Sequence, residues 1–119
     1  MYKIICKREK CLTSSTVTGQ AAIEYKVNKY IKAPKWLAKK GYHPTLFKQK
    51  KDALDFFKQF NALSLPAQLW QVKARKIIKS LPPMLNYCFI DNRKCIYCNR
   101  SWPVGTIMAE KVMLIKQIL

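Results

Sequence analysis

Hydrophobic and polar residues alternate in three stretches of the chain, which is the pattern of strands with one buried face. The expected buried positions are, stretch by stretch, Tyr2, Ile4 and Cys6, then Ile23, Tyr25 and Val27, then Trp70, Val72 and Ala74. In the third stretch the alternating polar positions include Lys73 and Arg75, so this strand is predicted to have a basic face.

Helical spacing of apolar residues is clearest between Lys50 and Leu63. The apolar stripe consists of Ala53, Phe56, Phe57, Phe60 and Leu63. Asp52 and Asp55 lie in the first turns, where a carboxylate complements the positive end of the helix dipole. A second, short helix is predicted from Pro34 to Lys40, because proline favours a helix start and Gly41 a helix end.

The remainder of the chain is less regular. The segment from Pro82 to Pro103 is rich in turn-forming residues and predicts a loop or a short hairpin. The last stretch, from Thr106 to Leu119, fits either a helix or a closing strand, and its β-branched members favour the strand. Together these elements predict a single α+β domain over residues 1–119. In this fold a small, mainly antiparallel sheet packs against one amphipathic helix, and a short helix is added.

The charge balance is strongly positive, with 23 Lys and Arg against 6 Asp and Glu and a net charge of +17. Such a balance indicates an anionic partner. Apolar runs are too short for a membrane span, and the N-terminal residues lack the apolar region of a signal peptide. We therefore expect a protein of the cytoplasm that does not bind membranes.

Lysines and one arginine cluster in two parts of the sequence, with aromatic residues interleaved in the first part. The candidate nucleic-acid-binding residues are Lys26, Lys29, Lys32, Lys35, Lys39, Lys40, Lys73, Arg75, Lys76 and Lys79. Lysine outnumbers arginine, whereas base reading favours the planar arginine side chain, so non-specific or shape-based nucleic-acid binding is the favoured function. Binding to an acidic host protein is the alternative. The clustering can also be explained without any binding function, as a solvated surface of lysines over buried aromatic residues.

Five cysteines in a chain without a secretion signal argue against a closed disulfide framework. If the two ends of the chain meet, Cys6, Cys11, Cys95 and Cys98 could supply the four ligands of a structural zinc ion. The competing interpretation is that Cys6 and Cys88 are small buried apolar residues and the others are surface thiols. No other cofactor is expected.

The residue composition also excludes several enzyme classes. The single histidine, His43, excludes sites that need two histidines on one metal within the chain, and the three glycines cannot form a phosphate-binding loop. The six carboxylates include no evident catalytic pair. A binding protein is therefore favoured over an enzyme.

Three sets of residues carry a resemblance to a known family: Ser14-Ser15 with Gly19; Tyr25-Lys26-Val27 with Tyr30, Ala33-Pro34, Gly41-Tyr42 and Phe47; and Asp52-Ala53, Phe56, Leu69-Trp70-Gln71-Val72 and Trp102-Pro103 with Gly105-Thr106. In these residues most of the chain resembles a small uncharacterised domain of bacteria and their phages. The resemblance implies a compact α+β fold and a viral or mobile-element origin, in which case the location would be the host cytoplasm. It implies no activity.

A looser similarity is to the ADP-ribosyltransferase-like fold. An enzyme of that kind would need an early His or Arg and a late Glu to hold a nicotinamide nucleotide. His43 and Glu110 are the residues available for these roles, although their positions match the pattern poorly.

Overall fold

The computed structural model describes residues 1–8, 11–14, 23–62, 67–78, 80–82, 85–90, 95–97 and 102–119. The strands in chain order are β1 (Tyr2–Arg8), β2 (Cys11–Ser14), β3 (Glu24–Tyr25), β4 (Tyr30–Ile31), β5 (Thr45–Phe47), β6 (Ala67–Ile78), β7 (Leu85–Ile90), β8 (Cys95–Tyr97) and β9 (Thr106–Gln117). The helices are α1 (Lys35–Lys39), between β4 and β5, and α2 (Lys50–Ala62), between β5 and β6.

Four of these strands close into a ring. β1 is antiparallel to both β5 and β6, and β9 is antiparallel to the same two strands, so the order β1-β5-β9-β6 returns to β1. β2 and β3 continue the sheet from β1, and β4 pairs with β9. β7 and β8 form a separate antiparallel pair in the segment where a loop or a short hairpin was expected.

The predicted fold class is therefore wrong. The protein is mostly strands around a closed four-stranded β-barrel, with two short helices in the described residues, and is not an α+β sheet packed on one amphipathic helix. The physical reason is that the strands of a closed ring bury their inner faces against each other and do not need a helix to cover them.

The long ladder between β6 and β9 explains why the C-terminal stretch is a strand, as favoured above. Val72 lies opposite Leu114 and Ala74 opposite Val112, and both β9 residues are fully buried. The register shifts by one residue between Gln71 and Val72, as in a β-bulge.

The inner and outer faces of β1 and β6 contact different sets of apolar residues. Inside the ring, Ile5 and Val72 belong to the main core together with Leu46 of β5. Outside, Ile4 lies opposite Leu69, and both pack in a second cluster. Both faces of β1 and the outer face of β6 around Leu69 are thus covered, and the expectation of a single buried face on β1 does not hold.

Helix α2 supplies the outer cover. Ala53 and Phe57 are buried in the second cluster against Ile4, Leu69 and Phe47. The periodicity from Lys50 therefore predicts this helix correctly, and Asp52 lies in its first turn. The helix covers only one part of the outer surface of β6, so side chains farther along this strand, such as Lys73 and Arg75, are exposed.

The short helix is also confirmed. Pro34 is the N-cap of α1, and Gly41, which follows the helix, has a positive φ of 89° that glycine adopts without strain. Leu37 anchors the helix in the main core.

Strand β2 extends the sheet beyond β1, because Thr13 pairs with Cys6 of β1 and with Glu24 of β3. Residues 15–20 lie outside the described residues. None of the helices in the described part of the chain is long and apolar enough to cross a membrane.

Candidate nucleic-acid interface

The neighbouring strands β4, β9 and β6 bring together residues that lie far apart in the sequence, with basic side chains on β6 and β9. Met113 of β9 lies opposite Tyr30 of β4 on one side and opposite Lys73 of β6 on the other. In an antiparallel sheet, residues directly opposite each other project to the same face. Tyr30, Met113 and Lys73 therefore form one row across the three strands.

Burial shows which way this row faces. The next row consists of Ile31, Val112 and Ala74; Val112 is fully buried, and the other two pack against the main core. Because side chains alternate along a strand, the row that contains Tyr30 must lie on the outer surface. Lys73 is exposed there, while Tyr30 and Met113 are half-buried.

A second outer row lies beside the first. Arg75 of β6 is opposite Lys111 of β9, two residues along each strand from Lys73 and Met113. Arg75 is exposed and Lys111 is half-buried. We call the outer surface formed by both rows the basic sheet face; its residues are Tyr30, Lys73, Arg75, Lys111 and Met113.

One contact organises this surface. The Cζ atom of Arg75 lies 4.4 Å from the centre of the Tyr30 ring, across β9. A guanidinium group at this distance is attracted to the negative face of the ring by about 0.5–1 kcal/mol at an exposed site. The pair holds a planar cation and an aromatic ring together in the middle of the basic sheet face.

The far end of β6 contains an ion pair. Lys76 Nζ lies 3.5 Å from Glu110 Oε2, with 80% and 40% of the two side chains exposed. Glu110 therefore offsets the charge of Lys76. Exposed pairs of this kind contribute little to stability. Lys76 also adopts a positive φ of 55°.

The other predicted lysines have different positions. Lys26, Lys29 and Lys32 are exposed in the segment that contains β4, and Lys32 directly follows that strand. Lys35, Lys39 and Lys40 are exposed on α1 or at its C-terminal end. Lys79 lies outside the described residues. β4 lies within the first predicted cluster, and Lys73 and Arg75 belong to the second cluster. Because β9 pairs with both β4 and β6, it brings the two clusters together.

Two members of the basic sheet face were missed at the sequence level, Lys111 and Met113. Their stretch is mostly apolar and carried no charge cluster, so only the pairing of β9 with β4 and β6 reveals them. Among the interleaved aromatics, Tyr25 and Tyr42 are buried, and Trp36 packs against the main core. Tyr30 is the aromatic residue that the basic sheet face presents.

The predicted zinc ligands are only partly described. Cys6 is buried in β1, as expected for a small apolar residue. Cys11 lies opposite Arg8 in β2, Cys95 begins β8, and Cys98 lies outside the described residues. Where side chains are described, no three His, Cys, Asp or Glu residues form a metal-binding group. The four-cysteine zinc site stays a prediction.

The two residues of the enzyme alternative lie next to a bonded pair. The N–H of Ala109 donates a hydrogen bond of 3.0 Å to the carbonyl oxygen of Pro44. His43 precedes Pro44 and Glu110 follows Ala109, so their backbones lie on neighbouring segments. The Glu110 carboxylate is engaged with Lys76. An ADP-ribosyltransferase-like activity stays a prediction.

A groove of about 350 Å³ lies on another part of the described surface, between α2 and the turn before β9. Asp52, Asp55, Phe56 and Val104 line it. Its two carboxylates outweigh the single lysine in the lining, Lys51, so the groove is less suited to phosphate than the basic sheet face.

Comparisons of the chain with protein-family models, with curated proteins and with solved structures gave no match. Its function is therefore inferred from its own side chains and their arrangement.

Proposed function

We propose that this protein binds nucleic acid through the basic sheet face. The observation that carries the proposal is the arrangement of Lys73, Arg75 and Lys111 on the outer side of two paired strands, beside Tyr30. Paired strands fix the backbone positions of these cations, and the counterions that phosphates release when they are neutralised make such binding favourable.

The proposal accounts for the excess of lysine. Neutralisation of phosphates needs positive charge but no particular base sequence, so a net charge of +17 supports affinity without specificity. The exposed lysines around β4, notably Lys29 and Lys32, extend the positive surface next to Tyr30. We expect binding that weakens steeply with salt.

The test is a salt titration of binding by fluorescence anisotropy, with labelled single strands and duplexes. The Lys73→Ala/Arg75→Ala double variant should weaken binding to both forms and lower the slope of log K against log salt by roughly 1 to 2. The matched control is Lys50→Ala/Lys58→Ala, which removes the same charge from exposed positions of α2. Its effect should be less than about twofold.

Two outcomes would overturn the proposal. If both double variants weaken binding equally, the protein has only a diffuse positive field and no site on this face. If the unchanged protein releases every nucleic acid at about 150 mM salt, binding is too weak to be its function. In the second case the expected binding partner of the basic sheet face would be an acidic protein, which is the alternative function.

A further inference from the structure

The contact between Tyr30 and Arg75 offers more than positive charge. An aromatic ring and a guanidinium group are the two planar side-chain groups on which nucleic-acid bases stack. Here they lie 4.4 Å apart, centre to Cζ, on a sheet surface rather than on a loop. Ring and cation are therefore presented together as one platform by paired strands.

The surroundings of this platform fit an unpaired nucleotide. Met113 lies opposite Tyr30 and provides an apolar surface beside the ring. Lys73 and Lys111 lie within roughly 10 Å of Tyr30 at the backbone, because adjacent strands are spaced by about 4.8 Å. A base on the platform would thus have cations on both sides for its own and the neighbouring phosphates.

From this geometry we propose that the basic sheet face prefers single-stranded nucleic acid and that one unpaired base stacks on the Tyr30–Arg75 pair. This inference rests on the proposed function and adds to it the class of nucleic acid that is bound. A duplex keeps its bases stacked inside the helix. Its phosphates can reach Lys73 and Lys111, but it offers no base to the platform.

The experiment separates the platform from the charge. Tyr30→Leu removes the ring and keeps an apolar side chain, and Arg75→Lys removes the planar group and keeps the charge. The control is Lys58→Arg, which also conserves charge but lies at an exposed position of α2, outside the basic sheet face. Each full-length variant is titrated with three fluorescent probes of about 12 units: an oligothymidine, the same strand with abasic sugars, and a duplex.

The unchanged protein should bind the oligothymidine about 5- to 100-fold more tightly than the abasic strand, since the two differ only in the bases. Tyr30→Leu and Arg75→Lys should remove most of this difference. Their affinities for the abasic strand and the duplex, and their salt slopes, should stay within about twofold, as should every value for Lys58→Arg.

Failure of this inference differs from failure of the proposed function. If the unchanged protein binds the abasic strand as tightly as the oligothymidine, stacking is absent, and if it binds the duplex as tightly, the preference for single strands is wrong. In both cases a salt-dependent site would still stand. If Tyr30→Leu lowers affinity for all three probes equally, the ring has a structural role and the stacking proposal is wrong. Circular dichroism shows whether each variant is folded.

Discussion

The Nζ atom of Lys3 lies 5.1 Å from the centre of the Tyr25 ring, on the inner face of β1, and donates a hydrogen bond to the carbonyl oxygen of Thr45. Only 4% of Lys3 is exposed. Removal from water disfavours the charged amine, and this burial lowers the pKa of Lys3 from 10.5 to about 7. A lysine in an alternating strand pattern would ordinarily be assigned to the solvent side.

Lys3 should make stability depend on pH. Between pH 7 and 10.5 the unfolded chain binds a proton at Lys3 that the folded protein does not, so raising the pH favours the folded state. Lys3→Met, which has no titrating group, should lack this contribution. We expect the free energy of unfolding of the unchanged protein to rise, relative to Lys3→Met, by several kcal/mol across this range.

Urea denaturation of both proteins at a series of pH values measures this difference. Cysteine and tyrosine ionise in both proteins, so their effects cancel in the comparison. Below pH 7 the variant should be the more stable of the two, because it avoids the burial of a charge. Parallel curves for the two proteins would show that Lys3 keeps an ordinary pKa.

Gly105 should tolerate alanine poorly. It has a φ of 82° in the turn before β9, and a Cβ atom at this position would overlap the carboxylate of Asp52. Gly105→Ala should lower the free energy of unfolding by roughly 2–4 kcal/mol, because strain at positive φ adds to the overlap. Thermal or urea unfolding measures the loss.

Gly41 provides the control for this prediction. Its φ is 89°, but an added Cβ atom would meet only Pro82 at 3.9 Å, an ordinary contact distance. Gly41→Ala should therefore cost about 1–2 kcal/mol from backbone strain alone. Adding Asp52→Ala to Gly105→Ala should recover part of the loss; no recovery would mean that the overlap is relieved in some other way.

Strand β5 closes the ring, and Leu46 in it is only 1% exposed. Leu46→Ala should lower the free energy of unfolding by about 2–5 kcal/mol, because it leaves a cavity in the main core. Amide hydrogen exchange should then show faster opening of β5 than of the long ladder between β6 and β9. The control is Val104→Ala, at a side chain that is 84% exposed, which should change stability by less than about 0.5 kcal/mol.

Lys111 should contribute to nucleic-acid binding as much as Lys73 does, although their sequence positions are far apart. Both lie on the basic sheet face. Lys111→Ala should lower the slope of log K against log salt by about 0.7–0.9, the value for one phosphate contact. Lys48→Ala, at an exposed position between β5 and α2, is the control. A loss no larger than that of Lys48→Ala would remove Lys111 from the interface.

Local patterns in the sequence predicted several elements well. The apolar spacing from Lys50 predicted α2, the proline and glycine around α1 predicted its ends, and the alternation from Trp70 predicted β6 with its basic face. In each case the signal comes from residues within one or two turns or a few strand positions of each other, which is the range over which periodicity and capping act.

Other features depend on strand pairing between distant parts of the chain. Closure of the ring requires β5, a strand of three residues, to pair with β1 and β9, and nothing in its short sequence specifies those neighbours. The burial of Lys3 follows from the same closure, because the ring covers the inner face of β1. For that reason the sheet-and-helix fold expected from local patterns was wrong.

The sequence by itself therefore determined the strong positive charge, both helices and the basic face of β6. Only the tertiary structure decided that Tyr30 and Arg75 would meet and that Lys111 would join them. These residues are far apart along the chain, and the register of β9 against β4 and β6 brings them together. Register is set by which apolar side chains are buried together in the core, a property of the whole fold rather than of any one segment.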